Sequence, residues 1–372
     1  MLEALLPRGR GRLGAALLTV LLAVGSGAFA AARRGPSASG ALPVAPAGAE
    51  HVRGVTISCE TWGWEWGSDA FAADLDRLKG LGVNWVAIHP YARIRADGEV
   101  SARDFDPDHP PEWITRPIRE AHARGLALFV IPHLAYWGSP WSWRGEIEFQ
   151  DPAARARFFA SYQAWITGVA RAARGADGFS IANELEKLAG FEAEWRAVIA
   201  AVRAETPARL TWAANWSGYR DVRFWDALDA VGVQAYFPLV EHADPTEDEL
   251  RAAWKPVLAE LATFQARVGK PIVFTELGYR AALDAAREPW TFREARGDER
   301  ARAEAVQERC LTIALEAIEP ESAWLRGAFL WKWFPGSARR GENFLVNRPG
   351  MQRVVERVWK PAAERADEAA PR

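Results

Sequence analysis

The sequence has little cysteine and lacks the glycine-rich loop of nucleotide-binding folds. Only Cys59 and Cys310 occur among the 372 residues. Two lone cysteines offer no zinc motif, and they are interpreted either as one disulfide in an oxidising compartment or as two isolated thiols. No Gly-x-Gly-x-x-Gly stretch follows the first predicted strand, which argues against a dinucleotide-binding fold. We therefore expect neither a metal nor a cofactor.

Neither sign of charge dominates the chain. There are 46 basic and 48 acidic residues, mixed along the sequence, for a formal net charge of -2. This balance argues against a nucleic-acid surface and against an acidic tail. With 49% hydrophobic and 25% charged residues, the composition is that of a globular protein. The length suits one barrel-sized domain or two smaller ones, and we expect a monomer.

The first 32 residues have the layout of an export signal. Three arginines between positions 8 and 12 precede an apolar run from Leu13 to Val24, and small residues suited to cleavage follow at Ala28-Phe29-Ala30. An uncleaved membrane anchor is the alternative, although the apolar run is short for a span. We expect an exported protein that is secreted, periplasmic or at the cell surface. If the segment is kept, it forms a membrane tether.

Between residues 53 and 360, strands and helices alternate eight times. Glycine ends most of the predicted helices, as at Gly82, Gly125 and Gly269, where a positive φ is needed. Strict alternation predicts parallel strands joined by helical crossovers. Eight such units predict a (β/α)8 barrel as the single catalytic domain, with a doubly wound open sheet as the alternative.

The domain boundaries follow from this pattern. Residues 33–52, rich in Ala, Gly, Pro and Ser, are predicted to be a disordered linker, and residues 361–372 a polar tail. A short helix from Val222 to Leu228 is predicted between the fifth and sixth strands. The eight predicted strands are Gly54–Ser58, Val83–Ile88, Leu126–Ile131, Gly178–Ala182, Arg209–Ala213, Val233–Tyr236, Pro271–Thr275 and Ala328–Trp331.

Two of the apolar strand segments run directly into a glutamate. Glu184 follows the fourth strand and Glu276 follows the seventh. A buried parallel strand has no evident use for a charge at its end unless that end opens onto a site. In (β/α)8 barrels the chemistry lies at the carboxyl ends of the strands. The two glutamates are therefore predicted to form a catalytic pair, with ordinary salt bridges at the rim as the alternative.

Tryptophan is the compositional outlier, with 19 residues against 17 Phe and 6 Tyr. Clustered loop indoles are typical of a binding surface, because exposed apolar patches mark interaction sites. The alternative for each is a ring that packs its loop onto the barrel rim, and we expect this for about half of them. Ten lie in or next to loops on the predicted catalytic face: Trp62, Trp64, Trp66, Trp137, Trp141, Trp143, Trp216, Trp290, Trp331 and Trp333.

These motifs resemble those of the clan A glycoside hydrolases, which carry Asn-Glu after the fourth strand and Glu after the seventh. The resemblance is greatest to family 113, through Ile181–Glu184, Gln234–Pro238, Phe274–Tyr279 and Phe329–Trp333. It implies a retaining endo-β-1,4-mannanase acting on polysaccharide or oligosaccharide, with Glu184 as acid/base and Glu276 as nucleophile. A β-1,4-glucanase, another clan A specificity and a non-catalytic glycan-binding barrel remain open.

Further residues at the strand ends are predicted to bind the substrate. If the fourth strand bulges at its end, the Asn183 amide reaches the 2-hydroxyl of the reacting sugar. Tyr236 is expected to donate a hydrogen bond that keeps Glu276 ionised, and Arg93 is a second candidate partner of Glu276. Trp331 is the predicted platform under the reacting sugar. The complete set of predicted binding residues is Asn183, Tyr236, Trp331, His89, His133, Trp212 and Asn215.

Overall fold

The fold is a closed barrel of eight parallel strands. The computed structural model describes residues 50–103, 105–336 and 343–360. Each barrel strand pairs with the next barrel strand along the chain, and the last closes on the first, which confirms the predicted (β/α)8 barrel. The barrel strands are β1 (Val52–Ile57), β2 (Trp85–Ile88), β5 (Ala127–Val130), β7 (Gly178–Asn183), β8 (Arg209–Asn215), β9 (Val231–Gln234), β10 (Ile272–Leu277) and β11 (Leu325–Trp333).

A small second sheet extends two of the barrel strands. It contains β3 (Tyr91–Ile94), β4 (Val100–Ser101) and β6 (His133–Ala135), in the order β4-β3-β6. Strands β3 and β6 are parallel, and Tyr91 pairs with His133. Since β3 continues the chain beyond β2 and β6 continues it beyond β5, this pairing carries Tyr91 and His133 to the carboxyl end of the barrel.

Helices connect most of the strands. Their starts carry the expected caps: Ser68 accepts a hydrogen bond from the Phe71 amide, and Thr246 forms a reciprocal capping box with Glu249. The helices of the described residues are α1 (Asp69–Gly80), α2 (Glu112–Ala123), α3 (Pro152–Ala172), α4 (Glu192–Glu205), α5 (Glu247–Val268), α6 (Arg300–Ile318) and α7 (Pro349–Trp359).

The predicted helix from Val222 to Leu228 is wrong. The segment between β8 and β9 contains only a 3-10 turn at Trp225–Ala227. The Trp225 indole donates to the carbonyl of Tyr219, six residues earlier, at 3.0 Å, and this side-chain bond stabilises an irregular path for the segment. A local apolar pattern does not reveal such a contact.

The core has two layers, one outside the barrel and one within it. Strand side chains alternate between the faces, so one set packs under the helices and the other fills the barrel. Trp85, Phe129, Val273 and Phe329 belong to the inner layer. The Phe329 ring lies directly against Gly54, where any β-carbon would overlap it. Gly54 is therefore the residue that allows a large ring to close the barrel interior.

Parts of the predicted organisation lie outside the described residues. These are the export signal at residues 1–32, the linker up to residue 49 and the tail at residues 361–372. Within the residues that are described, no helix is both long and apolar enough to cross a membrane. Of the two interpretations of the cysteines, the structure has the separate thiols: Cys59 and Cys310 are both free, and Cys310 is buried.

Candidate active site

A register shift turns Glu276 into the barrel. On β10, Val273 belongs to the inner layer and Phe274 packs under the helices. Simple alternation would send position 276 outward as well. The pairing of β10 with β9 shifts between Phe274 and Glu276, and the Glu276 side chain consequently lies inside the barrel mouth, 6% exposed. Bulges of this kind commonly re-aim side chains beside active sites.

A second register shift lies at the end of β7, just before Glu184. The pairing of β7 with β8 shifts between Ser180 and Asn183, so the predicted bulge is present. The next residue, Glu184, has a φ of 68°, a left-handed conformation that non-glycine residues seldom adopt. Its backbone N–H is held by the Ala213 carbonyl at 2.8 Å. Strained backbone of this type concentrates at functional sites.

Both glutamates line one open cleft of about 830 Å³ at the barrel mouth. Most of the wall is aromatic. Six of the ten predicted loop tryptophans contribute to it: Trp62, Trp137, Trp143, Trp216, Trp290 and Trp331. The other four do not line the cleft. Trp66 and Trp333, for example, are buried in the core, as expected for rings that pack onto the barrel.

Glu276 is held by two hydrogen-bond donors. The Tyr236 hydroxyl donates to Oε2 at 2.8 Å, and the Gln234 amide donates to Oε1 at 3.0 Å. Burial raises the pKa of Glu276 to about 8, and the charge of Glu184 acts in the same direction. The Tyr236 bond and the cations of Arg144 and Lys332 oppose that rise. The environment thus leaves this carboxyl able to exchange a proton near neutral pH.

Glu184 is held by two consecutive residues of the loop after β6. The Trp143 indole donates to Oε1 at 2.8 Å, and Arg144 donates to Oε2 at 2.6 Å. The Trp143 ring folds back over Gly145, where a β-carbon would overlap the indole. Glycine at 145 therefore permits the loop to present both donors to the same carboxylate.

A buried histidine, His133, lies beside Arg144 and Glu276. Nδ1 of His133 lies 3.1 Å from an Arg144 nitrogen, and Nε2 lies 3.9 Å from Oε1 of Glu276. Burial, together with the nearby Arg144 cation, holds the pKa of His133 well below its usual range, so the ring is neutral. The contact with Glu276 is therefore not an ion pair, and 3.9 Å is too long for a hydrogen bond.

The structure brings most of the predicted binding residues to the cleft. Tyr236, Trp331, His133 and Asn215 line it beside the glutamates. Asn183, 2% exposed, lies beneath this surface and accepts a hydrogen bond from Gln234.

Two predicted substrate contacts are wrong. Trp212 is 1% exposed and packs on Trp195 with ring centroids 4.6 Å apart. Alternation along β8 sends position 212 under the helices and positions 213 and 215 into the barrel. His89 is fully buried below the cleft and stacks on His133 at 4.8 Å.

The cations near Glu276 are not the one expected from the sequence. The guanidinium of Arg93 lies 4.9 Å from the centre of the Trp62 ring, so its predicted pairing with Glu276 is wrong. Arg144 and Lys332 line the cleft instead. Lys332 is 8% exposed, and burial lowers its pKa to about 8.

Sequence reasoning missed Gln234, Arg144 and Lys332 as site residues. Gln234 had a usable signal, because it stands two positions before Tyr236 and so shares its strand face. Lys332 likewise follows the predicted platform Trp331 directly. Arg144 had none, since a loop residue carries no periodic pattern.

A barrel whose aromatic cleft holds two carboxyl groups at the ends of β7 and β10 defines a glycoside hydrolase. The sequence model described as Glycoside Hydrolase Family 113 matches residues 56–342, and the chain belongs to that family. A comparison with curated protein sequences finds no match.

Solved structures agree with this assignment. A family 113 β-mannanase from Alicyclobacillus acidocaldarius, in complex with ManMIm, is 26% identical, with 83% of this chain and 97% of that chain covered at a TM-score of 0.69. A complex of a family 113 β-1,4-mannanase is 21% identical, covers 83% and 98%, and has the same TM-score of 0.69. A family 5 mannosidase from Rhizomucor miehei, 12% identical with 86% and 94% covered and a TM-score of 0.57, shares the fold.

Proposed function

We propose that this glycoside hydrolase cleaves β-1,4-linked mannan with retention of configuration, by double displacement. The observation that carries the proposal is the unlike environment of two carboxyl groups in one cleft. Glu276 is almost fully buried and accepts bonds from Tyr236 and Gln234, whereas Glu184 is held from the loop side by Trp143 and Arg144. Retaining glycosidases need such a division between a nucleophile and an acid/base.

In the first step, Glu276 attacks the anomeric carbon and the glycosidic bond breaks. Glu184 gives its proton to the departing sugar oxygen, and the glycosyl group becomes esterified to Glu276. In the second step, Glu184 takes a proton from water, the resulting hydroxide attacks the same carbon, and Glu276 leaves as a carboxylate. The proton returned to Glu184 restores the starting state.

The two steps require Glu184 in different protonation states, neutral in the first and ionised in the second. The carboxylate that accepts the hydrogen bond from Arg144 is the base of the second step and the product of proton donation in the first. Because burial, and then the charge of Glu184, raise the pKa of Glu276, the pair of carboxyl groups holds one proton near neutral pH, and the first step requires that proton on Glu184. The working enzyme is therefore the form in which the pair carries one proton.

Mannan as the substrate is supported by the aromatic cleft and by the relatives. Trp62 and Trp137 make an edge contact at 6.3 Å, and Trp216 and Trp290 stack at 5.6 Å in another sector of the rim. Trp137 is 55% exposed and Trp290 is 43% exposed, so the rings are free to meet sugar faces. Family 113 β-mannanases are among the solved structures that match this chain along most of its length.

A panel of β-mannan, glucomannan, cellulose and xylan oligosaccharides tests this specificity. We expect mannan oligosaccharides to be cleaved internally, with kcat/KM on the order of 100-fold or more above cellulose oligosaccharides, because a site that hydrogen-bonds a hydroxyl rejects its misplaced counterpart. Product sizing checks internal cleavage. A preference for cellulose would move the enzyme to β-1,4-glucanase, and tight binding of all glycans without turnover would leave a binding barrel.

The pH profile of kcat/KM should be bell-shaped, with its alkaline limb near pH 8. Below the pKa of about 8 the pair keeps one proton; above it both carboxyl groups are ionised, and no acid remains for the leaving group. In Glu184→Gln, Glu276 is the carboxyl group of the pair that remains, and it attacks in its ionised form, so loss of its proton no longer stops the reaction. The residual activity on an activated aryl glycoside should therefore show no decline near pH 8.

Titration of Lys332 would give a different result in the same pH experiment. Its pKa is also lowered to about 8, so its deprotonation would produce a limb in the same range. A limb that persists in Glu184→Gln, with its midpoint unchanged, would belong to Lys332 and contradict the assignment to the carboxyl pair.

We also propose export of the enzyme, on the strength of the arginine, apolar and small-residue order in residues 1–32. Polymeric mannan does not enter a cell, so a hydrolase that acts on it meets its substrate outside. Cell fractionation with N-terminal sequencing tests this; recovery of the full-length chain in the cytosol would overturn it.

A further inference from the structure

The Gln234 side chain lies between Glu276, the predicted nucleophile, and Asn183, the residue before the predicted acid/base. Its side-chain nitrogen is 3.0 Å from Oε1 of Glu276 and 2.5 Å from Oδ1 of Asn183. The side chain is 1% exposed, so water does not compete for these bonds. One amide group thus directs both of its hydrogens to two residues at the ends of different strands.

The chemistry of a carboxylate decides how these amides are oriented. In the form that attacks, Glu276 is ionised and only accepts hydrogen bonds, so the group of Gln234 that then faces it is the NH2. That NH2 then requires an acceptor from Asn183, which turns the Asn183 oxygen towards Gln234. The Asn183 NH2 is then the donor that remains unused by this network. The opposite orientation of either amide would place two donors or two acceptors against each other.

The donor left over on Asn183 has no partner in the described structure. Nδ2 of Asn183 is buried without a hydrogen bond, and Oε1 of Gln234 is likewise unpaired. Buried polar groups in proteins are nearly always bonded, so an orphaned donor beside a cleft indicates a partner that arrives with the ligand. In a retaining glycosidase that partner is the 2-hydroxyl of the reacting sugar.

We propose that Gln234 is a positioning residue that couples the ionised state of Glu276 to the donor orientation of Asn183. It rests on the proposed function, because it assigns the 2-hydroxyl of the reacting mannosyl unit as the group that Asn183 reads. Gln234 itself does not touch the sugar. Its contribution is to let the site present a donor to that hydroxyl when the nucleophile is ready to attack.

The test compares two variants that each remove one donor from Glu276. Gln234→Met removes the bond to Glu276 and also frees Asn183, whereas Tyr236→Phe removes a bond to Glu276 and leaves Asn183 held. Each enzyme is assayed on an aryl β-mannotrioside and on the same compound lacking the 2-hydroxyl of the reacting sugar. The readout is the ratio of the two kcat/KM values within each enzyme.

In the wild-type enzyme we expect loss of the 2-hydroxyl to lower kcat/KM about 100-fold, because that contact strengthens in the transition state. Tyr236→Phe should slow both substrates and keep this ratio. Gln234→Met should slow the parent substrate and reduce the ratio to about tenfold or less, since Asn183 is no longer held as a donor. Thermal unfolding of each variant checks the fold, and Gln234→Leu replaces Gln234→Met if the latter does not fold.

The outcomes separate this proposal from the proposed function. A wild-type enzyme that cleaves neither substrate overturns the function itself. If the wild-type enzyme cleaves both substrates, hydrolysis stands, and either of two results refutes the role of Gln234. One is that Gln234→Met keeps the full ratio of kcat/KM values. The other is that the wild-type enzyme shows no difference between the two substrates.

Discussion

Replacing Glu276 by alanine is expected to lower kcat on mannan oligosaccharides by about four orders of magnitude or more. The substitution removes the group that attacks the anomeric carbon, and among the described residues of the cleft no other carboxylate accepts hydrogen bonds from Tyr236 and Gln234 to replace it. Steady-state kinetics on a mannan oligosaccharide measure the loss. The shorter alanine leaves space beside the anomeric carbon, so added azide should attack there and restore part of the turnover.

The configuration of the rescued product decides the role. Azide that takes the place of Glu276 makes a single displacement, so the glycosyl azide should have inverted, α configuration, which NMR resolves. Glu192→Ala is the matched control: that glutamate lies at the start of α4, pairs with Arg196 on the surface and should leave kcat unchanged. Activity of Glu276→Ala within tenfold of the wild type would remove Glu276 from the mechanism.

Replacing Glu184 by alanine is expected to lower kcat/KM on mannan oligosaccharides by about 10²–10⁴-fold. A sugar is a poor leaving group and needs the proton that Glu184 supplies. An aryl glycoside with an acidic phenol leaves without it, so kcat/KM on that substrate should fall much less. Breakdown of the glycosyl-enzyme then becomes limiting, and rapid mixing should show a burst of phenol.

Azide distinguishes this variant from the first. It should intercept the glycosyl-enzyme in Glu184→Ala and give a β-azide, the product of two displacements. The loss of the carboxylate also leaves Trp143 and Arg144 without their acceptor, so the melting temperature of each variant should be compared with its kinetics. Equal losses on sugar and aryl leaving groups would contradict an acid role for Glu184.

Much of this protein was accessible from its sequence, because strands, helices and their ends are local properties. Apolar runs of strand length, glycines at helix ends and caps such as Thr246 with Glu249 depend on near neighbours in the chain. Repeated eight times, they left few topologies other than the barrel. A glutamate at the end of an apolar strand was informative as well, because a charged group is seldom buried without a functional role.

The sequence was less informative about which side chains enter the cleft. Trp212 and Trp331 both stand near the carboxyl end of a strand, yet Trp212 packs under α4 and Trp331 faces the cleft. Side chains alternate between the two faces of a strand, so the direction of each one depends on its position in that alternation. Register shifts reverse the alternation on β7 and β10. A shift arises from pairing with the next strand, so it is a property of two strands and not of one segment.

The sequence by itself therefore determined the barrel, the family resemblance and the two strands that carry the glutamates. Tertiary structure alone decided most of what surrounds them: Arg144 and Trp143 on Glu184, and Gln234 beside the expected Tyr236 on Glu276. The reason is distance along the chain, since Arg144 lies 40 residues from Glu184 and Gln234 lies 42 residues from Glu276. Periodicity reports only near neighbours, whereas burial, hydrogen bonding and pKa depend on groups that folding brings together.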